Sequence, residues 1–316
     1  MEAINILFLG GAKRVSIAER FISAGIINNI KINIFSYELQ NKLPIASIAK
    51  VIVGLKWNDD NILNDLQEVV KENRINIVLP FVDPAIEICS LLKKQIDNSV
   101  SIPVSSESIC RTMFEKKKAA TWFEKYNIPV PQTFNLNNIR FPAILKPNTG
   151  SAAKGLIIIK NYNDLIKINN IDDYLIQEFI EENIEYTVDA FVDNNGEVVT
   201  TVPRIRLETV GGEAIRSLTV NEEDIILLSN QILSSGDFLG PITIQFIRDK
   251  VKNKLYVMEI NPRLGGGVIL SIEAGANIAE MIIKEHLGIP NEKCIGWKSG
   301  VLMTRYFKEV FYADNN

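Results

Sequence analysis

A chain of 316 residues, 47% hydrophobic and 23% charged, is long enough to bury sizeable cores in two or three domains. The net charge of −4, without a cluster of interleaved basic and aromatic residues, argues against nucleic acid as the main partner. No apolar stretch approaches the ~20 residues that span a bilayer, so we expect no membrane association. The composition therefore predicts an ordinary soluble globular protein.

The cysteines and the single histidine exclude several kinds of chemistry. Cys89, Cys110 and Cys294 lie far apart without CxxC spacing, so we expect neither zinc nor a disulfide framework, and a reducing cytoplasm fits best. The chain starts with a strand-like run at residues 4–9 and shows no signal-peptide pattern. His286 is predicted to end a helix, where a cation is favourable. Catalysis by a Ser-His or Cys-His pair is therefore not expected.

The first third of the chain alternates apolar strands with amphipathic helices, which predicts an open, mainly parallel sheet. Its first turn, GGAKR, lacks the dinucleotide fingerprint because Ala12 and Val15 stand where glycines are required. Backbone N–H groups of residues 10–14 could still hold a substrate carboxylate or phosphate, and a simple βα turn is the alternative. Asp83, after a later strand, is predicted to cap a helix, with a substrate contact as the alternative.

The middle of the chain contains a lysine-bearing strand followed by a loop of small residues. The strand FPAILKP holds Lys146, and the loop NTGSAAKG leads to a second strand. Leu156 stands where a P-loop requires lysine, so this is not a P-loop. Two strands joined by such a loop can fold over a nucleotide, with Lys146 as a point charge for its phosphates. A mobile surface hairpin with a solvated lysine is the alternative.

The most informative stretch is residues 241–263, PITIQFIRDKVKNKLYVMEINPR, which reads as two apolar strands around a polar turn. A turn centred on Lys252 sets Gln245 opposite Glu259, and strand alternation puts Asn261 on the same face. The same alternation directs Met258 toward the core.

Three oxygen-bearing side chains would converge on that face. Oxygen donors of this kind suit a hard cation such as Mg²⁺, which shares its remaining positions with substrate phosphates. Arg263 beside the cation could neutralise the charge of a transferred phosphoryl group. A solvated hairpin with a polar face is the alternative for an isolated hairpin.

Several motifs, taken in their order along the chain, resemble those of the ATP-grasp family. They are EKKKAATWFEKYNIPVPQT, ILKPNTGSAAKG, IQEFIEENIEYTVDAF and PRIRLETVGGE, followed by the cluster of Gln245, Glu259, Asn261 and Arg263. The similarity is greatest to single-unit enzymes related to the carbamoyl-phosphate synthetase large subunit, with a catalytic unit over residues 109–308. It implies an α/β protein, α+β in its catalytic part, with an ATP-grasp fold preceded by an open parallel-sheet domain. The expected domains are a pre-ATP-grasp domain at 1–108, a lid subdomain at 109–180 and a C-terminal subdomain with the metal site at 181–316.

The resemblance also implies roles for individual residues. Lys116 and Lys146 match phosphate-binding lysines, with Lys117 and Lys118 as alternative registers for the first. The remaining matches are Ser151 in the phosphate-covering loop, Glu178, Phe179 and Ile180 in the adenine hinge, Glu185 as the ribose-binding acid, Gln245, Glu259 and Asn261 as metal ligands, Arg263 as the arginine that stabilises the transferring phosphate, and Arg204 and Arg206 as a pair that binds the acid substrate. Lys146, Asn261 and Arg263 form the expected catalytic set.

The activity implied is that of an ATP-dependent carboxylate–amine ligase. The carboxylate would become an acyl phosphate and an amine would displace the phosphate, with ATP and Mg²⁺ as cofactors and Mn²⁺ as a substitute. One alternative is the carboxyphosphate or carbamate kinase half-reaction of a synthetase that receives ammonia from a partner subunit. Another is a non-catalytic ATP sensor. The expected partners are small-molecule carboxylate and amine substrates, with a homodimer as one assembly and the cytoplasm as the location.

Overall fold

The structure is a computed structural model that describes residues 3–150 and 154–313. It contains three sheets, and their strands follow one another along the chain with little mixing. Ser151, which the sequence analysis placed in a phosphate-covering loop, lies outside the described residues.

The first sheet is parallel, with strand order β3-β2-β1-β4. Its central strand reads AINILFL and is buried on both faces, as expected when helices cover a parallel sheet. The elements are β1 (Ala3–Leu9), α1 (Val15–Ile27), β2 (Lys31–Glu38), β3 (Lys50–Val53), α2 (Ile62–Glu72), β4 (Ile77–Pro80) and α3 (Asp83–Leu92).

Two helices and a small antiparallel sheet follow. The sheet has strand order β5-β8-β6-β7, so the lysine-bearing strand β6 lies between β8 and β7. The elements are α4 (Glu107–Phe114), α5 (Lys116–Lys125), β5 (Thr133–Phe134), β6 (Ala143–Pro147), β7 (Ile157–Ile159), α6 (Tyr162–Leu165) and β8 (Tyr174–Glu178).

The third sheet is a larger antiparallel sheet with strand order β13-β12-β9-β10-β11-β14. Its elements are β9 (Asn183–Val192), β10 (Val198–Val210), β11 (Glu213–Thr219), α7 (Glu223–Ser234), β12 (Gly240–Asp249), β13 (Lys254–Asn261), α8 (Val268–Glu273), α9 (Ile278–His286) and β14 (Leu302–Thr304). The predicted hairpin is therefore the β12–β13 edge of this sheet. An α/β protein with a parallel sheet preceding antiparallel catalytic sheets agrees with the predicted fold class.

The hydrophobic cores cross the domain boundaries that the sequence analysis proposed. One core joins helix α1 to helices α8 and α9, which come from the far end of the chain. A second core packs α4 and α5 against the six-stranded sheet, although the sequence analysis grouped residues 109–128 with the small sheet. The exact domain boundaries stay a prediction. Within the described residues, no helix combines the length and apolarity needed to cross a bilayer.

Gly240 holds the start of β12 against the segment that leaves the first sheet. Its φ is +74°, and a Cβ there would lie 2.1 Å from the carbonyl oxygen of Pro103. We expect Gly240→Ala to lower the free energy of unfolding by about 3 kcal/mol or more, since a left-handed conformation alone costs about 1–2 kcal/mol and the clash adds to it. Urea unfolding followed by circular dichroism measures the change.

Gly196 provides the matched control, because its φ is +81° and its Cβ would meet no atom of the described residues within 4 Å. Gly196→Ala should therefore cost only about 1–2 kcal/mol. Equal losses in the two variants would show that the contact with Pro103 does not constrain the fold.

Candidate active site

The candidate site is the cavity between the small sheet and the six-stranded sheet. Lys146 and Pro147 of β6 line it from one side, and Gln245 and Glu259 line it from the other. The predicted phosphate lysine and two predicted metal ligands therefore share one cavity.

A β-bulge in the β12–β13 pair sets the register of this site. Asp249 pairs with Lys254 and Phe246 with Val257, but Gln245 pairs with Glu259, so Met258 is the extra residue. The bulge brings Gln245 opposite Glu259, as the sequence predicted. Met258 lies in the cavity wall as well as against the small cluster of Ile180, Ile247 and Tyr256, so its side chain is only partly in the core, where the sequence placed it.

The three predicted metal ligands converge on one carboxylate oxygen. Gln245 Nε2 and Asn261 Nδ2 each donate to Glu259 Oε1, at 2.7 Å in both cases. Rotating either amide by half a turn would exchange its nitrogen for its oxygen with little change in shape. One carboxylate and two amide oxygens would then face one point, and this donor set fits Mg²⁺. Residues 3–150 and 154–313 contain no group of three or more His, Cys, Asp or Glu side chains that could hold a metal ion. The present set is not such a group, because two of its three donors are amides.

Lys146 is 5% exposed, so its ammonium is largely removed from water. Burial lowers the pKa of Lys146 to about 8; the Glu259 carboxylate opposes this shift, and the neighbouring Lys116 adds to it. Lys116 lines the same cavity and donates to the Gly150 carbonyl at 2.8 Å. Its alternatives are engaged elsewhere, Lys117 with the Asp172 carbonyl and Lys118 with Glu115. Of the three consecutive lysines 116–118, Lys116 is therefore the one that lines the cavity together with Lys146.

The predicted adenine hinge follows β8. The Glu178 N–H donates to the Gln132 carbonyl at 2.8 Å and the Phe179 N–H to the Pro142 carbonyl at 3.3 Å, so these two donors already serve the small sheet. The Glu178 carboxylate pairs with Lys252. Ile180 is buried beside Met258, whose side chain lines the cavity. Of the hinge residues, Ile180 is therefore connected most directly to the cavity.

Glu185 and Arg206 face each other on neighbouring strands, β9 and β10. Arg206 Nε lies 3.5 Å from Glu185 Oε2, while Arg206 Nη1 donates to Gln245 Oε1 at 3.0 Å. Glu185 is half exposed and lines the cavity. Arg206 thus connects the predicted ribose acid to the predicted metal ligand.

Arg204 does not share an anion with Arg206, contrary to the sequence-based expectation. Its side chain is 3% exposed, and its Nε donates to Asp189 Oδ2 at 2.8 Å. Asp189 also accepts from the Ser271 hydroxyl at 2.7 Å. A buried arginine needs a counter-charge, and Asp189 supplies it from within the protein.

Arg263 pairs with Asp83, which enters the site from the first turn of α3. Arg263 Nη2 lies 2.6 Å from Asp83 Oδ1, and Arg263 Nε donates to the same oxygen at 2.8 Å. The Asp83 side chain makes this contact rather than the predicted helix cap. The parallel sheet therefore contributes directly to the wall of the site.

Two further predictions are changed by internal contacts. The Glu38 carboxylate accepts backbone N–H groups of Gly11 and Ala12, so a protein carboxylate fills the anion position of the GGAKR turn. His286 ends α9 as predicted, but burial lowers its pKa and disfavours the cation. Its Nδ1 lies 2.8 Å from the Ser101 hydroxyl, and this contact replaces the predicted charge interaction.

Sequence reasoning did not identify Asp189, Glu213 or Arg305. Arg14 and Arg305 both form ion pairs with Glu213, at 3.0 and 3.2 Å. A charged residue within the apolar run TVDAFV was a signal for Asp189. Glu213 and Arg305 carried no such signal.

An ATP-grasp family model, described as ATP-grasp in the biosynthetic pathway with Ter operon, matches residues 170–308. The chain is 21% identical over 301 residues to the C-terminal section of the carbamoyl phosphate synthase large chain of Methanopyrus kandleri, covering 86% of this chain and 53% of that protein. It thus spans about half the length of this relative. It is also 23% identical over 314 residues to a formate-dependent phosphoribosylglycinamide formyltransferase of Prochlorococcus marinus, covering 90% of this chain and 77% of that one.

Solved structures agree on the fold. The biotin carboxylase domain dimer of Hydrogenobacter thermophilus 2-oxoglutarate carboxylase, in complex with MgADP, ADP and bicarbonate, has a TM-score of 0.74 at 16% identity and covers 94% of this chain and 73% of that one. N5-carboxyaminoimidazole synthetase of Staphylococcus aureus has a TM-score of 0.71 at 17% identity and covers 92% and 80% of the two chains. The family model and these relatives confirm the predicted ATP-grasp domain and the predicted similarity to the carbamoyl phosphate synthase large chain.

The Arg204–Asp189 ion pair generates a stability prediction. Asp189→Asn should lower the free energy of unfolding by about 3–5 kcal/mol, because it leaves the Arg204 charge buried without a partner. Urea unfolding measures the loss. Glu208→Gln is the control, since Glu208 lies 4.0 Å from Arg216 in an exposed pair, and it should cost less than about 1 kcal/mol. A loss as small as that of the control would show that Asp189 is not the required counter-charge.

Proposed function

The chain carries an ATP-grasp domain, and from this premise we propose that it is an ATP-dependent ligase that activates a carboxylate as an acyl phosphate for attack by an amine. The observation that carries the proposal is a buried lysine, Lys146, that lines two adjoining cavities together with Glu259, with Asn261 in the wall of one and Gln245 in the wall of the other. Phosphoryl transfer depends on positioning and charge neutralisation, and these residues supply both.

Gln245, Glu259 and Asn261 would hold Mg²⁺, or Mn²⁺ in its place. When bound, the cation would neutralise phosphate charge and align the γ-phosphate. Arg206 donates to Gln245 Oε1 at 3.0 Å in the unliganded arrangement, and it would release this oxygen when the Gln245 amide turns it toward the cation. Asn261 would bind the cation and would also contact the transferring phosphate, as its place in the expected catalytic set implies.

The nucleotide would lie with its phosphates near Lys116 and Lys146. Ile180, together with the other hinge residues Glu178 and Phe179, would contact adenine. Glu185, half exposed at the cavity, would accept hydrogen bonds from the ribose hydroxyls. Ser151 would belong to the loop that covers the phosphates.

In the reaction, a carboxylate oxygen attacks the γ-phosphorus of ATP and ADP leaves. Arg263 would stabilise the charge on the phosphoryl group during this transfer. The amine then attacks the acyl carbon, phosphate leaves, and the amine loses a proton as the amide-like bond forms. Closure of the small sheet over the cavity would exclude water, which otherwise hydrolyses the acyl phosphate.

The carboxyphosphate or carbamate kinase half-reaction is the second candidate. The similarity to the carbamoyl phosphate synthase section supports it. A non-catalytic sensor is less consistent with the site, because nucleotide sensing alone does not require the combination of Lys146, Glu259 and Arg263. We further propose a cytoplasmic protein that forms a homodimer, since a dimer occurs in the similar biotin carboxylase domain.

Glu259→Gln tests the metal role. The substitution keeps the side-chain size but removes the only formal charge of the three ligands, so Mg²⁺-dependent ATP turnover should fall at least about 100-fold. The melting temperature should change little, because no buried ion pair is broken. Phosphate release measured against magnesium concentration, with a pool of amino acids and bicarbonate, gives the result.

A double variant provides the control. Gln245→Glu combined with Glu259→Gln moves the carboxylate to the facing strand and keeps one carboxylate and two amides, so part of the magnesium affinity should return. Unchanged turnover in a folded Glu259→Gln variant would rule out the metal site.

The pKa of Lys146 makes nucleotide binding depend on pH. With the free-protein pKa at about 8, the lysine is charged below pH 8 and neutral above it, and bound phosphates favour the charged form. The affinity for Mg·ADP should be flat below pH 8 and fall by up to roughly tenfold per pH unit above it. Calorimetric titrations between pH 7 and 9.5 measure this dependence.

Lys146→Met should bind Mg·ADP weakly and lose the fall above pH 8. Lys254→Met, which removes an exposed lysine of β13, should behave like the unmodified protein. If Lys146→Met kept the same pH profile as the unmodified protein, Lys146 would not be the titrating phosphate ligand.

A further inference from the structure

Three segments that are distant in sequence bring two arginines onto one carboxylate beside the candidate active site. Arg14 follows the first strand, Arg305 follows the last, and Glu213 begins β11. Arg14 Nη1 lies 3.0 Å from Glu213 Oε1, and Arg305 Nη1 lies 3.2 Å from Glu213 Oε2. The Arg305 guanidinium also donates to the Gly266 carbonyl.

This cluster has more positive charge than its carboxylate balances. Two guanidiniums share Glu213, and the nearby Asp189 is already committed to Arg204. The Nε of Arg305 is buried, and no hydrogen-bond partner for it lies among residues 3–150 and 154–313. An unpaired buried N–H of a guanidinium is costly, so the arrangement favours an additional anionic acceptor.

The glycine loop after β13 makes room for these guanidiniums. A Cβ on Gly266 would lie 3.0 Å from Arg14 Nη1, and a Cβ on Gly267 would lie 2.5 Å from the Arg204 guanidinium carbon. This loop directly follows Arg263, so it joins the cluster to the arginine assigned to phosphoryl transfer.

Glu213 lies at the base of a turn that has space to move. Residues 207–212 are exposed, and a Cβ on Gly211 would meet nothing within 4 Å. Glu213 itself is 43% exposed. Arg206 connects this turn to the metal ligands, because it donates to the Gly212 carbonyl at 2.8 Å and to Gln245. A displacement of Glu213 would therefore be communicated to the candidate metal site.

We propose that Arg14 and Arg305 form the binding site for the carboxylate of the acid substrate, and that Glu213 occupies this site until the substrate displaces it. The proposal rests on the proposed ligase function and names its acid-binding residues. A carboxylate placed between two guanidiniums can accept paired hydrogen bonds from both, including the unpartnered Nε of Arg305. Glu213 provides a carboxylate of the same chemistry and is thus an internal competitor.

The experiment uses acetate as the probe and Mg·ADP to fill the nucleotide site. In ¹⁵N-labelled protein, the Nε–H signal of Arg305 is identified by its loss in Arg305→Lys. Acetate should shift this signal saturably. Glu213→Gln should bind acetate several-fold more tightly because the competitor is gone, and Glu213→Asp should change in the same direction. Arg14→Gln should weaken acetate binding by about 10-fold, the scale of a lost charged hydrogen bond.

Glu208→Gln and Arg216→Gln are matched controls on the same hairpin, and both should bind acetate like the unmodified protein. Weaker acetate binding in Glu213→Gln would overturn the proposal, since it would show that Glu213 only holds the arginines in place. The absence of a saturable shift in both the unmodified protein and Glu213→Gln would also overturn it. Failure of the unmodified protein to bind Mg·ADP would instead refute the proposed function, because that measurement does not involve the arginine cluster.

Discussion

Charge pairing on the inner face of the six-stranded sheet is the constraint on which the site depends. This face looks into the space between two sheets, where an unpaired charge costs several kcal/mol. Arg204 is therefore matched by Asp189, and Arg206 by Glu185. Lys146, on the facing sheet, is buried, and the nearby Glu259 carboxylate only partly offsets the lowering of its pKa by burial. The phosphates of a bound nucleotide would supply negative charge beside the Lys146 ammonium.

The same constraint separates the arginines by role. Arg204 and Arg206 alternate onto one face, and the sequence makes them equivalent. The neighbouring strand distinguishes them, because β9 offers Asp189 deep in the core to one and Glu185 at the cavity to the other. The first arginine stabilises the fold, whereas the second joins two parts of the candidate site.

Local patterns predicted the sheets and much of the site. Alternation and turn position put Gln245 opposite Glu259, and the LKP strand brought Lys146 to the cavity. Alternation alone could not predict the orientation of the Met258 side chain, because a bulge adds a residue to one strand without altering the apolar pattern. The pairing of the predicted residues with Asp83 and Asp189 was also beyond the sequence. The contact between Arg263 and Asp83 joins segments 180 residues apart. The contact between Arg204 and Asp189 depends on the pairing of β9 with β10, which the local pattern does not determine.

Among the described residues, the core of the small sheet consists of side chains from residues 134–176. The first and third sheets, in contrast, share cores with helices from other parts of the chain. A unit that shares no core can open while the remainder stays intact, so its amide hydrogens should exchange with solvent through a lower-energy local unfolding. The small sheet is thus the part of the molecule that can unfold most independently of the other two sheets. A ligand that bridges it to the six-stranded sheet would slow hydrogen exchange in the small sheet more than in the other sheets.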